Sequence, residues 1–339
     1  MSDPRKRRRH ITWIVLNLLF GTSFIAAIAL GSVALSVTDI TSALLGLDRT
    51  GFARDIVLNI RLPRAILAAT VGAVLAVCGT YLQGMFRNPL ADPSLIGVTA
   101  GASVGASVAI ILGGGAIAGG LSLVSLGAFV GGLVSVWLVY RVATGVNGTS
   151  VATMLLMGIA VSALAASMTG LMDYLADNES LRRMSLWRMG GLDGANGSRA
   201  LVMLFILALM LVAMSRTSHA LNTLLLGESQ ARHLGVHVGR LKNQLIVWVA
   251  LGVGVSVAVA GSIGFVGLVV PHMLRLCVGP DHRTLVPMSA LGGASLLLLA
   301  DTLARVVLSP TELPVGLVTA LIGAPFFVFL LLRHRELIR

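Results

Sequence analysis

Long stretches without any charged residue dominate this chain and limit the folds that it can adopt. The first, residues 11–38, is long enough to span about 30 Å of hydrocarbon at about 1.5 Å per residue. Because a backbone in lipid must satisfy its own hydrogen bonds, such stretches predict transmembrane helices. The uncharged stretches are 11–38, 65–86, 93–140, 142–172, 200–215, 243–274, 284–300 and 313–332.

Two of these stretches are too long for a single helix. Residues 93–140 are interrupted at Gly113-Gly114-Gly115, and residues 243–274 contain glycines and Pro271 that predict a tight turn followed by a shorter helix near 263–278. Only 12% of the chain is charged, whereas soluble domains carry about 25%. We therefore predict an all-α polytopic membrane protein with about ten transmembrane helices per subunit.

The chain is predicted to form one transmembrane domain over residues 1–339, because no linker-like stretch divides it. A faint internal repeat relates Ala76-Val77-Cys78-Gly79-Thr80 to Ala258-Val259-Ala260-Gly261-Ser262, each followed by a proline-containing segment. The copies belong to the second and seventh predicted helices, which would run in opposite directions. Inverted repeats of this kind recur in transporters.

The net charge of +11 is distributed as the positive-inside rule predicts. An even number of helices puts both termini on one side, where 16 of the 25 Lys and Arg residues fall. This side is therefore predicted to be cytoplasmic, and a nucleic-acid partner is not expected. The basic residues 5–9 also resemble the start of a signal peptide, but the uncharged stretch after them is too long for one, which predicts a retained first helix.

The longest polar interruption on the predicted cytoplasmic side runs from Ser215 to Lys242. Apolar residues recur there at helical spacing, and Glu228 and Arg232 form an i,i+4 pair. Two short amphipathic helices broken at Gly227 would lie across this side of the membrane. Periodicity alone favours an ordinary interfacial helix.

Several segments, in this order, resemble the permease family of the type II ABC importers that take up ferric siderophores, haem and cobalamin. The resemblance covers about residues 55–333, and the 219–237 segment resembles the family's coupling-helix region. The other matching segments are Arg61-Leu-Pro-Arg64 with Gln83–Pro93, Gly264–Arg275, and Ala300–Arg305 with Glu312–Gly316 and Gly323–Pro325.

The resemblance implies a permease that works with several partners and carries no catalytic site of its own. The implied partners are a second copy of the chain, two ATP-binding subunits on the cytoplasmic side, a periplasmic substrate-binding protein and membrane lipid. The sequence has no G-x-x-x-x-G-K-[ST] loop. We therefore expect no enzyme activity and no cofactor in this chain, with ATP and Mg²⁺ bound by the partner ATPase.

The family pattern assigns roles to two groups of residues. Arg61, Arg64 and Arg305 would dock carboxylates of the binding protein, although arginines at a membrane edge also snorkel toward water. Asp301 and Arg305 are first interpreted as a structural i,i+4 ion pair. The predicted ATPase-coupling residues are Leu221, Leu224, Leu225, Gly227, Glu228, Ala231, Arg232, Leu234 and Gly235.

The fifth predicted helix, residues 150–172, would line the path between two copies, because the resemblance places it there. Methionine gives a soft, adaptable wall. The path residues are Met154, Met157, Ser162, Ser167 and Met168, and the gate residues are Thr149 and Ser150. No metal site is predicted, because the seven histidines form no ligand cluster.

The sequence favours haem as the imported iron chelate, with a ferric siderophore next, because residues 173–199 resemble haem-importing members. A cobalamin importer is the main alternative. An ion-coupled secondary transporter would need ionisable groups inside the spans, and a membrane-embedded enzyme would need clustered acids or histidines. The chain is predicted to be a multi-pass protein of the bacterial inner membrane with both termini cytoplasmic.

Overall fold

The structure is a computed structural model that describes residues 4–48, 51–113, 122–145 and 148–336. Among these residues there are fourteen α-helices, one π-helical segment, one 3-10 turn and one two-stranded hairpin, joined by short loops. The helices are α1 (Pro4–Ala29), α2 (Val37–Leu44), α3 (Phe52–Arg54), α4 (Leu62–Phe86), α5 (Val98–Ile111), α6 (Leu123–Ala143), α7 (Val151–Leu175), α8 (Asn178–Met189), α9 (Gly197–Leu224), α10 (Glu228–His233), α11 (Val238–Ala260), α12 (Val266–Val278), α13 (His282–Val306) and α14 (Val315–Glu336); the strands are β1 (Thr144–Gly145) and β2 (Gly148–Thr149).

Ten apolar helical segments in the described part of the chain confirm the predicted all-α membrane architecture. Seven are long enough to cross a membrane, and the shorter three are Val98–Ile111, Val266–Val278 and Val315–Phe329. The stretch 243–274 is divided as predicted, because α11 ends at Ala260 and α12 begins at Val266. Helices α5 and α6 are separate, but Gly114 and Gly115, which were expected to divide them, lie outside the described residues.

Three predicted helix boundaries are wrong because they were placed at charged residues. Helix α9 continues through Arg216 to Leu224, so the first of the two predicted surface helices is the end of a membrane helix. A continuous helix runs from Phe52 to Phe86 and passes through Arg61 and Arg64, with a π-helical segment at Asp55–Arg61 just before Pro63. Proline donates no backbone hydrogen bond, which is consistent with the irregular turn. The first helix spans Pro4–Ala29 rather than 11–38.

Helix α4 lies at the centre of the bundle. Its most apolar stretch is 94% buried, whereas that of α1 is 17% buried. Glycines let neighbouring helices contact its backbone directly: a Cβ atom at Gly79 would overlap the carbonyl of Gly267 in α12, and one at Gly72 would overlap that of Gly293 in α13. Such close approach is typical of membrane helix packing.

The bundle has two ends, which we call the N-terminal face and the opposite face. The N-terminal face holds the start of α1, where Arg9 lies 3.8 Å from Asp281, and the end of α4, where Gly84 packs on His282. The opposite face holds the end of α13, where Arg305 donates to the Ala27 carbonyl. Helix α4 ends at the N-terminal face and α11 starts there, so the two repeat-bearing helices run in opposite directions as predicted.

A break in regular structure lies beside the middle of α4. Residues 261–265 separate α11 from α12, and a 3-10 turn at Pro93–Ile96 precedes α5. Gly267, at the start of α12, packs against the Leu75 carbonyl and against Pro93. Asp92 caps this turn by accepting a hydrogen bond from the Ser94 amide at 2.8 Å.

Candidate functional site

The N-terminal face carries the segment that was predicted to contact an ATPase. Gly227 ends the α9 extension with φ +112°, a backbone conformation that L side chains rarely adopt, and α10 follows. Leu221, Leu224 and Ala231 are fully buried and attach this segment to the bundle. Leu225 and Gly227 are half-buried, so these five residues anchor the segment more than they form its surface.

The exposed part of the same segment combines apolar and charged groups. Leu234 is 64% exposed and lies beside exposed Arg232 and Gly235. Leu226, which is 60% exposed, was missed by the sequence analysis. Its position directly after two inward-facing leucines could have indicated an outward-facing residue. Exposed leucines on a polar face are suited to contact with another protein.

A buried lysine joins this segment to the predicted gate. Lys242 in α11 is 4% exposed, and its Nζ donates to Glu228 Oε1 at 2.7 Å and to the Thr149 carbonyl at 2.9 Å. Glu228 Oε2 lies 3.4 Å from Arg232, which confirms the predicted i,i+4 pair. Ser150 is exposed, and its hydroxyl caps α7 by accepting from the Thr153 amide.

A second polar network stabilises the N-terminal face at the start of α13. Asn222 accepts a hydrogen bond from the His282 amide and donates to Asp281, which also pairs with Arg283 at 3.1 Å. Burial raises the pKa of Asp281, but the hydrogen bonds from Arg283 and Asn222 outweigh it and lower the pKa to about 2. The side chain is therefore a carboxylate at neutral pH.

The opposite face contains the three predicted docking arginines, all of them buried. Arg64 contacts Asp301 Oδ1 at 2.9 Å and Glu312 Oε2 at 2.8 Å, and Arg305 contacts Asp301 Oδ2 at 3.1 Å. The interpretation of Asp301 and Arg305 as an ion pair is confirmed. Arg61 donates to the carbonyls of Ile28, Ala29 and Val33. We call the following five residues the arginine cluster: Arg61, Arg64, Asp301, Arg305 and Glu312.

The uncharged stretch 65–86 would leave Arg61 and Arg64 just outside the second predicted helix, and the structure corrects this position. Both lie inside a continuous helix with their guanidinium groups bonded within the chain. The cluster is nevertheless partly open, because the side chain of Glu312 is 33% exposed. The docking role itself remains a prediction. Arg54, Arg182 and Arg183 are exposed basic residues at the same face.

The predicted path residues of α7 have different surroundings in this conformation. Met154 is fully buried, and Met157 is partly buried against the core. Ser167 and Met168 are exposed. Ser162 lines a cavity of about 400 Å³ between α5, α7 and the 3-10 turn. The five residues therefore do not form one continuous surface.

That cavity is lined by hydroxyl groups from several elements. Ser94 and Ser262 come from the irregular segments beside α4, and Thr99 and Ser103 are an i,i+4 pair on α5. An adjoining cavity of about 280 Å³ shares Ser94, Thr99 and Ser262. The i,i+4 hydroxyl pair was a sequence signal for this surface that the analysis did not use. We refer to these two spaces as the hydroxyl cavity.

A further cavity of about 340 Å³ opens near α8 on the opposite face. Arg183, Arg199 and Trp187 line it, together with Asp193 and the end of α11. The Nη1 of Arg199 lies 3.4 Å from the Val259 carbonyl. Two guanidinium groups against one carboxylate favour a group with negative charge. Among the described residues, no three His, Cys, Asp or Glu side chains lie close enough to hold a metal ion.

The comparisons with known proteins agree with this architecture. The model of the FecCD transport family matches residues 18–333. The chain is 43% identical to the hemin transport system permease protein HmuU of Yersinia pestis over 95% of this chain and 96% of that protein. It is 47% identical to the cobalamin import system permease protein BtuC of Halobacterium salinarum, over 84% of this chain and 75% of that protein.

A solved structure supports the same assignment at the level of the fold. It is described as an inward-facing conformation of a metal-chelate type ABC transporter, and it superimposes with a TM-score of 0.81 at 33% identity. The match covers 96% of this chain and 99% of that chain. The match over residues 18–333, together with these relatives, shows that the chain belongs to the FecCD transport family.

Proposed function

We propose that this chain is the membrane permease of an ATP-driven importer for a metal chelate, with haem as its first candidate substrate. The family match over residues 18–333 carries the proposal. Two copies would enclose a path along α5 and α7, and alternating access would move the chelate along it. The geometry that supports this path is the hydroxyl cavity, which offers weak, uncharged polar contacts.

Haem is favoured over cobalamin on the charge of the opposite face. Haem carries two carboxylates, and Arg183 and Arg199 line a cavity that suits an anionic group. The 43% identity to a hemin permease is compatible with haem, and the similarity to cobalamin permeases, one of them over 97% of this chain, keeps cobalamin as the alternative.

The exposed leucines of the N-terminal face are proposed to receive the two ATP-binding subunits. Leu226 and Leu234 are 60% and 64% exposed, and fully buried Leu221, Leu224 and Ala231 hold the segment that presents them. An ATPase subunit that closes on ATP would push on α10. In this orientation the N-terminal face is cytoplasmic and the opposite face meets the periplasmic binding protein.

Reconstitution tests the proposal directly. The chain would be placed in liposomes with its ATP-binding subunit and binding protein, and uptake of haem, a ferric siderophore and cobalamin would be measured with and without ATP. We expect ATP-dependent haem uptake. Uptake driven by an ion gradient without ATP would refute the assignment as an ATP-driven importer. ATP-dependent uptake of cobalamin, without uptake of haem or a ferric siderophore, would refute haem as the substrate.

Two sets of variants assign the surfaces. Leu226→Glu with Leu234→Glu is expected to abolish ATPase association, while Leu45→Glu, which changes a 72% exposed leucine at the end of α2, leaves it intact. Arg183→Gln with Arg199→Gln is expected to slow haem uptake at unchanged ATPase association. If Leu45→Glu reduced ATPase association as much as Leu226→Glu with Leu234→Glu does, the N-terminal face would not be the ATPase-binding surface.

A further inference from the structure

Lys242 is a buried cation whose surroundings are unusual for its residue type. Lysine is almost never fully buried without partners, because loss of hydration disfavours its charge. Here the side chain is 5% exposed, and its Nζ has two oxygen partners within 2.9 Å. One is the carboxylate of Glu228 and the other is the main-chain carbonyl of Thr149.

These two partners belong to different parts of the N-terminal face. Glu228 is the first residue of α10, which lies between Leu226 and Leu234, the two exposed leucines proposed to contact the ATPase. Thr149 belongs to β2, which comes just before α7 in the chain. Its partner strand β1 directly follows α6. The Ser150 amide also donates to the Ala143 carbonyl, so the hairpin closes the gap between α6 and α7. Lys242 therefore lies where α10, α11 and the hairpin meet.

The carboxylate of Glu228 is divided between two cations. Its Oε1 binds buried Lys242 at 2.7 Å, and its Oε2 lies 3.4 Å from Arg232, whose side chain is 63% exposed. The short, buried contact is charge-assisted and is screened little by salt, whereas the exposed one is weak. Arg232 belongs to α10 itself and moves with Glu228, so the contact with Lys242 in α11 is the one that a displacement of α10 would strain.

We propose that Lys242 is a positioning residue that transmits movement of α10 to the hairpin at the start of α7. The inference rests on the proposed importer function, because that function supplies the force on α10. Since the ammonium group binds the main chain of Thr149 rather than a side chain, it holds the position of the hairpin backbone itself. Lys242 touches neither the chelate nor ATP.

The test is the number of chelate molecules transported per ATP hydrolysed in the reconstituted complex. Lys242→Met keeps the aliphatic stem but removes both contacts, and Lys242→Arg keeps a cation. We expect Lys242→Met to hydrolyse ATP while its transport per ATP falls at least about tenfold, with partial recovery in Lys242→Arg. Arg240→Met, an exposed cation two residues earlier in α11, is the matched control and should leave the ratio unchanged.

A purely structural role would give a different result. It would reduce the yield of folded protein while the folded fraction kept the wild-type ratio of transport to hydrolysis, and that outcome would overturn the proposal. Spin labels at Ser229→Cys and Gly145→Cys, with Cys277→Ser, provide a measurement that needs no transport. The distance distribution should broaden in Lys242→Met and stay narrow in Arg240→Met.

The label distances separate this inference from the proposed function. If the wild-type complex shows no ATP-driven uptake, the importer assignment fails. The distance between the two labels still tests whether Lys242 connects α10 to the hairpin. A broader distance distribution in Lys242→Met supports this connection, and an unchanged distribution refutes it.

Discussion

Replacement of Asp301 by Asn should destabilise the folded chain more than any single change at its surface. Asp301 is fully buried, and its two carboxylate oxygens bind Arg64 at 2.9 Å and Arg305 at 3.1 Å. The arginine cluster holds three guanidinium groups and two carboxylates, a net charge of +1, which Asp301→Asn raises to +2. Removal of one partner from a buried ion pair costs about 3–5 kcal/mol, because the other charge stays buried and uncompensated.

The free energy of unfolding would be measured in mixed micelles by titration with a denaturing detergent, with tryptophan fluorescence as the signal. Arg232→Ala is the control, since it breaks an ion pair whose arginine is 63% exposed and should cost about 0–1 kcal/mol. Asp301→Asn combined with Arg305→Met returns the net charge to +1, so it should recover part of the lost stability. A loss below about 1 kcal/mol for Asp301→Asn, or no recovery in the double variant, would refute the reasoning.

Three other predictions follow from particular contacts. Gly79→Ala should destabilise the bundle by about 1–3 kcal/mol or more, because its methyl group would overlap the Gly267 backbone. Gly21 has no atom within 4 Å of the added methyl group, so Gly21→Ala should be neutral or slightly stabilising in the same unfolding assay. Glu312→Gln removes one carboxylate partner of Arg64, so Arg64 should become available to an external carboxylate. We expect binding-protein association in nanodiscs to tighten by up to about tenfold, equivalent to about 1.4 kcal/mol, while the exposed control Asp55→Asn leaves the affinity unchanged. An unchanged affinity in Glu312→Gln would argue against docking at Arg64. The pKa of Asp281 is lowered from about 3.8 in the unfolded chain to about 2 in the folded chain. The Asp281 carboxylate therefore stabilises the folded chain fully above about pH 3.8, and this stabilisation is lost as the pH falls through about 2. Asp281→Asn should flatten the plot of unfolding free energy against pH between about pH 4 and 2.

The number of apolar membrane helices could be predicted from the sequence, because uncharged stretches of sufficient length have few alternatives in lipid. The same criterion misplaced the helix ends wherever a charge lies inside a helix. Arg216 is exposed, so α9 continues past it without burying a charge. Arg64 is buried, and its compensating carboxylate is 237 residues away in the chain, a pairing that a single sequence does not reveal.

The candidate sites were predictable to different degrees for a related reason. The break at Gly227 and the Glu228–Arg232 pair are local features, and both are present. The link from Lys242 to the Thr149 carbonyl depends on packing between elements, and a main-chain acceptor leaves no mark on residue identity. The hydroxyl cavity likewise collects residues from four separate elements, and Ser162 is the only one of them that was predicted to line the path.

The interruption between α11 and α12 has a consequence for the solvent inside the protein. Non-helical backbone at membrane depth persists only where protein buries it or where it lines an aqueous space. Residues 261–265 and the turn at Pro93–Ile96 lie together beside the middle of α4, and the hydroxyl cavity opens onto both. Lipid chains could not hydrogen-bond to these peptide groups, so their partners must come from protein or from water in the cavity. If the proposed path follows this cavity, a chelate would meet hydroxyl and peptide groups there rather than hydrocarbon.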